Sequence, residues 1–510
     1  MTSSRSKWLI AFTVMLPTLI EIIDTSIVNV SLDHIRGSLS AGIEEATWAI
    51  NAYLVANAIV IPMSGWLSRL FGRKNYQIGS IVLFTASSFL CGSAWSLPSL
   101  IFFRVMQGMA GGGLVPVSQS ILLEAFPPAQ HGVAMAIFGV GTMVGPILGP
   151  IMGGWITDNW SWRWIFYINI PIGMFAIIMN AIVIQDPPWM KRAKMRIDYL
   201  GLIFLAVGLG TLQMVLDKGQ QEDWFSSDLI VIFALVSFFA LALLIINEVN
   251  VSQPIINLRL FRDPTFATGT VVMFFLFFNL FGSIVLLPIY VQSLMGYTSY
   301  QAGLVLGPGG LATLCVMPFV GKLVQKVNPK KLLGLGIFIC AITTWLMSQF
   351  NLQADFWTFV LPRVTLGLGM GLAFIPLTTL TLSHIPREKL GQATSMYNLL
   401  RNMGGSVGIA FVTTLLARRT QFHQARLVDH LTVFDPAFTM AKSKAAAALV
   451  AKGVSGTGAE GMIYGQVLRQ ARMLAFNDTF YVTSIMLMSV LVLVFFMRRA
   501  PARAAGPSAH

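Results

Sequence analysis

The sequence predicts an all-α polytopic membrane protein of two six-helix bundles with an inserted helix pair, fourteen transmembrane helices in all. Composition, the length of the apolar runs and an internal duplication predict it. The 510 residues are 55% hydrophobic and only 11% charged, with mean hydropathy +0.72, whereas soluble domains carry a charged share of roughly a quarter. Apolar runs of roughly 20 residues recur, each enough to cross about 30 Å of hydrocarbon. An ordinary soluble enzyme, a disordered chain and a secreted disulfide scaffold are excluded together.

Polar punctuation divides the chain into spans near 8–30, 46–67, 76–96, 98–123, 132–155, 164–184, 199–217, 228–247, 265–292, 300–320, 332–350, 356–381, 392–416 and 476–497. The first follows Arg5 and Lys7 and imitates a signal peptide, but Glu21 and Asp24 lie inside it and no small-residue cleavage site follows. An even number of spans puts both termini on one side. Placing them in the cytoplasm leaves twenty Lys and Arg in inside segments against three, Arg36, Arg163 and Lys218, in short outside loops. That asymmetry is the positive-inside pattern, with the long outside loop 417–475 exempt. The net charge of +13 therefore reports topology, and nucleic acid is not an expected partner. Cys91, Cys315 and Cys340 lack paired or metal-like spacing and read as packing residues. His423 and His430, in the outside loop, read as a solvated pair; no metal, cofactor or catalytic residue is expected.

Two stretches 259 positions apart match: Arg104, Val105, Gly108, Gly112, Pro127 and Gly132 against Arg363, Val364, Gly367, Gly371, Pro386 and Gly391. Upstream, Pro62, Gly65 and Leu67 match Pro318, Gly321 and Leu323 at a spacing of 256. A duplicated unit with one helix pair between its copies gives a first bundle over 1–185, a linker and inserted pair over 186–263, a second bundle over 264–500 and a cytoplasmic tail over 501–510. Repeats of this kind place a substrate cavity between two bundles that rock about a midplane site. Within 417–475, Asp435-Pro436 followed by an Ala-rich run to Gly453 predicts a short helix, and a second helical stretch near 459–475 runs into the last span. This segment is either a solvated connector or a docking surface.

Ionisable residues inside spans are costly and mark function by default; here they are Glu21, Asp24, Arg104, Arg363 and Arg401. At 1.5 Å per residue Asp24 lies roughly 24 Å from Trp8 and Arg104 roughly 9 Å below the outer face, so both occupy the outer half. Asp24 is the expected proton-coupling group and Arg104 its partner: the opposite charge favours the carboxylate, and a closed, dry cavity favours the acid. A static ion pair is the competing reading. Glu21, three residues earlier on the same face, suits a proton carrier, a site for a cationic substrate or a structural glutamate. Arg401, near the bilayer centre, either attracts an anionic substrate or ties helices. Asn29, Gln107, Tyr397 and Asn398 are the expected polar residues of a substrate cavity, with Asn51, Asn57 and Asn402 nearby; many such amides simply join helices. The 36 Phe and 26 Met suit an adaptable apolar wall, and lipid-facing positions explain most of them equally well. The series Gly141, Gly145-Pro146, Gly149-Pro150, Gly153-Gly154 is expected to bend its helix and bring the bundles into tight contact, controlling leak and rocking, or else to serve packing alone.

These residues resemble the major facilitator superfamily, and within it the fourteen-span drug:proton antiporters of the EmrB/QacA type. The resemblance spans nearly the whole chain: a first-span motif Ile23-Asp24-Thr25-Ser26-Ile27-Val28-Asn29-Val30, an arginine motif Arg104-Val105-Met106-Gln107-Gly108 and the seam from Gly141 to Gly154. The family's cytoplasmic motif stands as Gly65-Trp66-Leu67-Ser68-Arg69-Leu70-Phe71-Gly72-Arg73-Lys74, with Arg69 where an aspartate is usual. Gly65, Gly72, Arg73 and Arg363 are carried over as conformational positions, with Arg73 and Lys74 expected to meet helix C-termini. The resemblance implies proton-coupled export of hydrophobic and amphiphilic drug-like compounds across a bacterial inner membrane. It also implies a tripartite pump with a periplasmic adaptor and an outer-membrane channel, 417–475 facing the adaptor. Inward proton-coupled uptake of a nutrient, or a non-transporting receptor or scaffold, are the competing functions.

Overall fold

The computed structural model describes residues 4–186, 198–251, 253–429, 431–432, 434–451 and 458–498, and every regular element among them is helical. One bundle contains α1 (Ser4–Val30), short α2 (Leu32–Ser38), α3 (Ile43–Phe71), α4 (Arg73–Gly92), α5 (Leu97–Gly111), α6 (Leu114–Ala125), α7 (His131–Asn159), α8 (Trp164–Tyr167) and α9 (Asn169–Val183). The inserted pair is α10 (Tyr199–Lys218) and α11 (Asp228–Asn250). The other bundle contains α12 (Pro264–Ser293), α13 (Ser299–Leu323), α14 (Pro329–Met347), α15 (Phe356–Leu382), α16 (Leu390–Val428), α17 (Pro436–Ala451) and α18 (Ala459–Phe496).

Twelve stretches among the described residues are long and apolar enough, by length and composition, to cross a membrane. The expected spans near 76–96 and 132–155 are the 20-residue α4 and the 29-residue α7. The polarity of α4 has a physical reason: it turns Gln77, Ser80, Thr85, Ser87 and Ser88 into the protein, against α5 and α9. The expected span 98–123 is interrupted at Gly112-Gly113, between α5 and α6. Two other helices outrun their expected ends, α16 continuing to Val428 and α18 starting at Ala459, so both bases of 417–475 are helical. At the root of that projection Asp478 accepts from Arg419 at 2.5 Å and lies 2.7 Å from His423 Nε2, so His423 is held rather than merely solvated. His430, the linker 187–197 and the tail 501–510 lie outside the described residues.

Helix starts follow local chemistry: Asp198 accepts from Gly201, Asp263 from Phe266 and Asp355 from Thr358, side-chain caps on otherwise orphaned N–H groups. Gly72 alone separates α3 from α4 and has φ +85°, a conformation a Cβ disfavours. Past this joint Arg73 pairs with Glu124 through both terminal guanidinium nitrogens, Nη1 and Nη2, at 2.6 and 2.8 Å. Lys74 donates to the carbonyl of Ala181 in the last turn of α9, as expected, whereas the partner of Arg73 is this carboxylate near the end of α6.

The glycine seam packs inside one bundle, which corrects the expectation of a contact between bundles. Its spacing of four lines one face of α7, and that face meets α1. A Cβ on Gly145 would stand 2.3 Å from Ile22 Cγ2, on Gly149 2.5 Å from Ser26 Cβ and on Gly153 2.8 Å from Ile27 Cγ1, whereas Gly154 faces open space. The bundles meet instead through glycines at the end where α1 starts and α18 finishes. A Cβ on Gly65 would lie 2.6 Å from the Gly391 carbonyl, and one on Gly321 2.9 Å from that of Gly132. Under the duplication these two crossings are one contact made twice. Beside them the Ser64 and Ser395 hydroxyls lie 2.8 Å apart, and Asn398 donates to Gln119 at 2.6 Å. The inserted pair leans across the same boundary: α10 packs on α3 and α16, Gln213 donates to Ser406 at 3.1 Å and Trp224 to Thr414 at 2.9 Å.

Candidate functional site

Helix α1 carries Asp24 into a fully buried polar cluster. Arg104 of α5 donates to Asp24 Oδ2 at 2.6 Å, to the Ala49 carbonyl at 2.9 Å and to Gln107 at 2.8 Å. Gln107 returns a hydrogen bond to Asp24 Oδ1 at 2.9 Å, and Asn169 of α9 donates to the same oxygen at 2.8 Å. Asn169 also donates to Ser88, which donates to the Phe166 carbonyl. The carboxylate therefore has its charge met by one guanidinium and its remaining lone pairs by amides, the condition under which a buried ion pair persists. The Cys91 thiol lies 3.5 Å from Gln107, at the cluster's edge.

Tyr53 of α3 links this pair to the second acid. Its ring lies beneath the Arg104 guanidinium, 4.2 Å from centroid to carbon, a cation–π distance. Its hydroxyl donates to Glu21 Oε1 at 3.4 Å, and Asn57 donates to the same oxygen at 3.1 Å. Glycines allow this approach: a Cβ on Gly108 would be 2.4 Å from the Tyr53 carbonyl, and one on Gly111 2.6 Å from its hydroxyl. Arg401 of α16 interacts electrostatically with Glu21 and stands over Phe277 at 5.6 Å.

The duplication is kept here in geometry and broken in chemistry. Gly367 packs on the Gly309 backbone as Gly108 packs on Tyr53. Arg363 stands at the position of Arg104, yet the offset that relates them puts Ser283, not an acid, opposite it; Arg363 donates to Ser283 at 2.9 Å and its Nε is unpaired.

Asp24, Arg104 and Gln107 are thus brought together, with Glu21 next to them through Tyr53. Asn29 lies exposed near the end of α1, away from the cluster. Tyr397 is buried against Thr378, its hydroxyl at 2.9 Å, and Asn398 joins the bundles, so neither has an open cavity face. Sequence reasoning missed Asn169, Tyr53, the Ala49 carbonyl and Glu124. Asn169 could have been flagged as an amide in an apolar run, and Tyr53 by lying one turn before Asn57. The carbonyl leaves no trace in a sequence.

Helical bundles related by a duplication, with a sealed polar pair in the apolar interior, are the architecture of a membrane transporter. A Major Facilitator Superfamily model matches residues 14–409. The chain is 35% identical to the multidrug export protein EmrB of Escherichia coli (strain K12), covering 95% of this chain and 94% of that one. Fatty acid resistance protein FarB of Neisseria gonorrhoeae is 35% identical, over 96% of each chain. Colistin resistance protein EmrB of Acinetobacter baumannii is 30% identical over 97% of each. The solved structure of the proton:xylose symporter XylE superposes with TM-score 0.62 at 14% identity, covering 97% of this chain and all of that one, a likeness of fold. The chain belongs to the major facilitator superfamily, and its full-length relatives make it EmrB-like, of the multidrug-efflux type.

Proposed function

We propose that the protein exports hydrophobic and amphipathic compounds across the inner membrane by alternating access, driven by protons entering through Asp24. The observation carrying this reading is the enclosed Asp24–Arg104 pair on two helices of one bundle. With Asp24 ionised, Arg104 and the amides satisfy it; once a proton neutralises it, the pair loosens and α1 is freed relative to α5. A group whose charge depends on which side it faces converts a proton gradient into a bias between two bundle arrangements. Glu21, bonded to Tyr53 beneath Arg104, senses the same change. Both termini face the cytoplasm, and the projection built from α16, α17 and α18 meets a periplasmic adaptor of a tripartite pump.

The test is export in proteoliposomes under an imposed pH gradient. Asp24→Asn is expected to abolish proton-driven efflux while retaining substrate binding; undiminished proton-coupled export by that variant removes Asp24 from the mechanism. Adaptor docking is tested by deleting 436–451: loss of co-purification with the adaptor while the transporter still folds is expected, and intact co-purification refutes it.

A further inference from the structure

Arg401 differs from the other membrane-embedded arginines. Arg104 meets an aspartate, a carbonyl and an amide, and Arg363 meets Ser283. Arg401, in the first third of α16 and only partly buried, makes no hydrogen bond or ion pair among the described residues; its ring contact is the face of Phe277. A guanidinium offers five N–H donors, and leaving them unmet deep in an apolar bundle is costly. The partly exposed fork therefore leaves its donors to water or to a ligand. Phe281, exposed, packs on Phe277 at 6.0 Å and against Gly405, one turn beyond Arg401, so an apolar shelf adjoins the cation.

Glu21 is near enough to interact electrostatically with Arg401. Its Oε1 is held by Tyr53 and Asn57, and Oε2 makes no hydrogen bond among the described residues. The other groups facing Glu21 are already accounted for. Asp24, one turn on, is neutralised by Arg104; α3 presents Tyr53 and Asn57; the α5 terminus presents Gly111; and α16 presents Arg401, with Tyr397 beside it.

We infer that Arg401 is an anion subsite, taking the carboxylate, phenolate or sulfonate head of an amphiphile whose apolar body lies on Phe277 and Phe281, and that Glu21 binds a proton together with the anion. The reasoning is charge balance. Glu21 ionised offsets Arg401 and repels a second anion. Glu21 protonated leaves the guanidinium to the ligand and turns an acceptor into an O–H donor. One proton is taken up from solution as the anion binds, and the occupied site stays neutral. This rests on the proposed transport reading and divides the labour between the acids: Glu21 carries a proton with anionic cargo, and Asp24 carries the driving counter-proton.

The experiment uses the whole protein in phosphatidylcholine nanodiscs and naphthalene-2-sulfonate, whose charge does not change with pH. Calorimetry in buffers of different ionisation enthalpy should record uptake of about one proton per sulfonate bound, and tighter binding at acidic than at alkaline pH. Arg401→Gln should weaken binding at least about tenfold and Arg401→Lys less. Glu21→Gln should bind the sulfonate with no pH dependence. Binding without proton uptake in the unmodified protein, unchanged affinity in Arg401→Gln, or retained pH dependence in Glu21→Gln each overturns the inference. Loss of sulfonate binding when phosphatidylglycerol is added to the discs would assign the subsite to a lipid headgroup and overturn its role for cargo. Export of a neutral dye is read separately: its failure faults the efflux reading and leaves the sulfonate result standing.

Discussion

Arg104 uses one planar group three ways: Nε on the Ala49 carbonyl, Nη1 shared by Asp24 and Gln107, and its face on Tyr53. A lysine keeps the charge but has no planar fork and reaches fewer of these partners at once. Arg104→Lys is therefore expected to fold, to lose about 1.5–3 kcal/mol, the range for hydrogen bonds to charged groups, and to transport at least about tenfold more slowly. Thermal unfolding in detergent and vesicle efflux measure the two; unimpaired transport would mean that charge alone is needed. Asn169 makes a parallel case. Replacing it with alanine removes one donor from a buried carboxylate, expected to cost about 1–3 kcal/mol by the same unfolding measurement, and an unchanged melting profile would mark that hydrogen bond as dispensable. Asp24 and Arg104 were legible because an ionised group in an apolar run has few innocent explanations. Asn169 was not, because its partner lies 145 positions away and an amide alone says nothing about which helix it reaches.

Helix α7 sets where α1 sits. Gly145 and Gly149 face Ile22 and Ser26, which flank Asp24, so a side chain at either position displaces the helix bearing the carboxylate. Gly145→Val should lower export by at least about tenfold, since overpacking costs typically 1–3 kcal/mol, whereas Gly154→Ala, with nothing near its Cβ, should change it little. Efflux in membrane vesicles compares them; equal loss in both would show that helix flexibility, not fit against α1, is what the seam supplies. The seam itself was legible from its spacing, but its neighbour was not: a row of glycines says that something comes close, and the sequence does not name it. Tertiary placement also decided the lengths of α16 and α18. Beyond their apolar stretches the two pack on each other and are joined by the Arg419–Asp478–His423 cluster and by Gln424 donating to Tyr464, contacts that no local pattern announces. The duplication, by contrast, was readable because matched glycines and arginines recur at constant offsets over long stretches.

The molecule closes by the same contact made twice, and that symmetry makes a test. Gly65 against Gly391 and Gly321 against Gly132 bring backbone to within reach of backbone at the end where α1 starts and α18 finishes. A side chain there meets a carbonyl rather than a flexible tip, so whole helices must part. If each valine costs the sealed arrangement about 1–3 kcal/mol, one substitution shifts the ratio of sealed to unsealed states by roughly one to two decades. A reversal from 1:99 to 99:1 needs about 5.5 kcal/mol, so Gly65→Val or Gly321→Val alone should unseal part of the population and the double variant most of it. Ser395→Cys, placed where Ser395 meets Ser64 across the bundles, reports this directly in a background lacking the exposed Cys315. Its labelling by a water-soluble thiol reagent should rise with either valine, to a similar extent, and further with both. Because the two crossings are equivalent, a marked response to one valine and none to the other would mean that the ends are not sealed by paired hinges, and the rocking of two equal bundles would have to give way to movement of one.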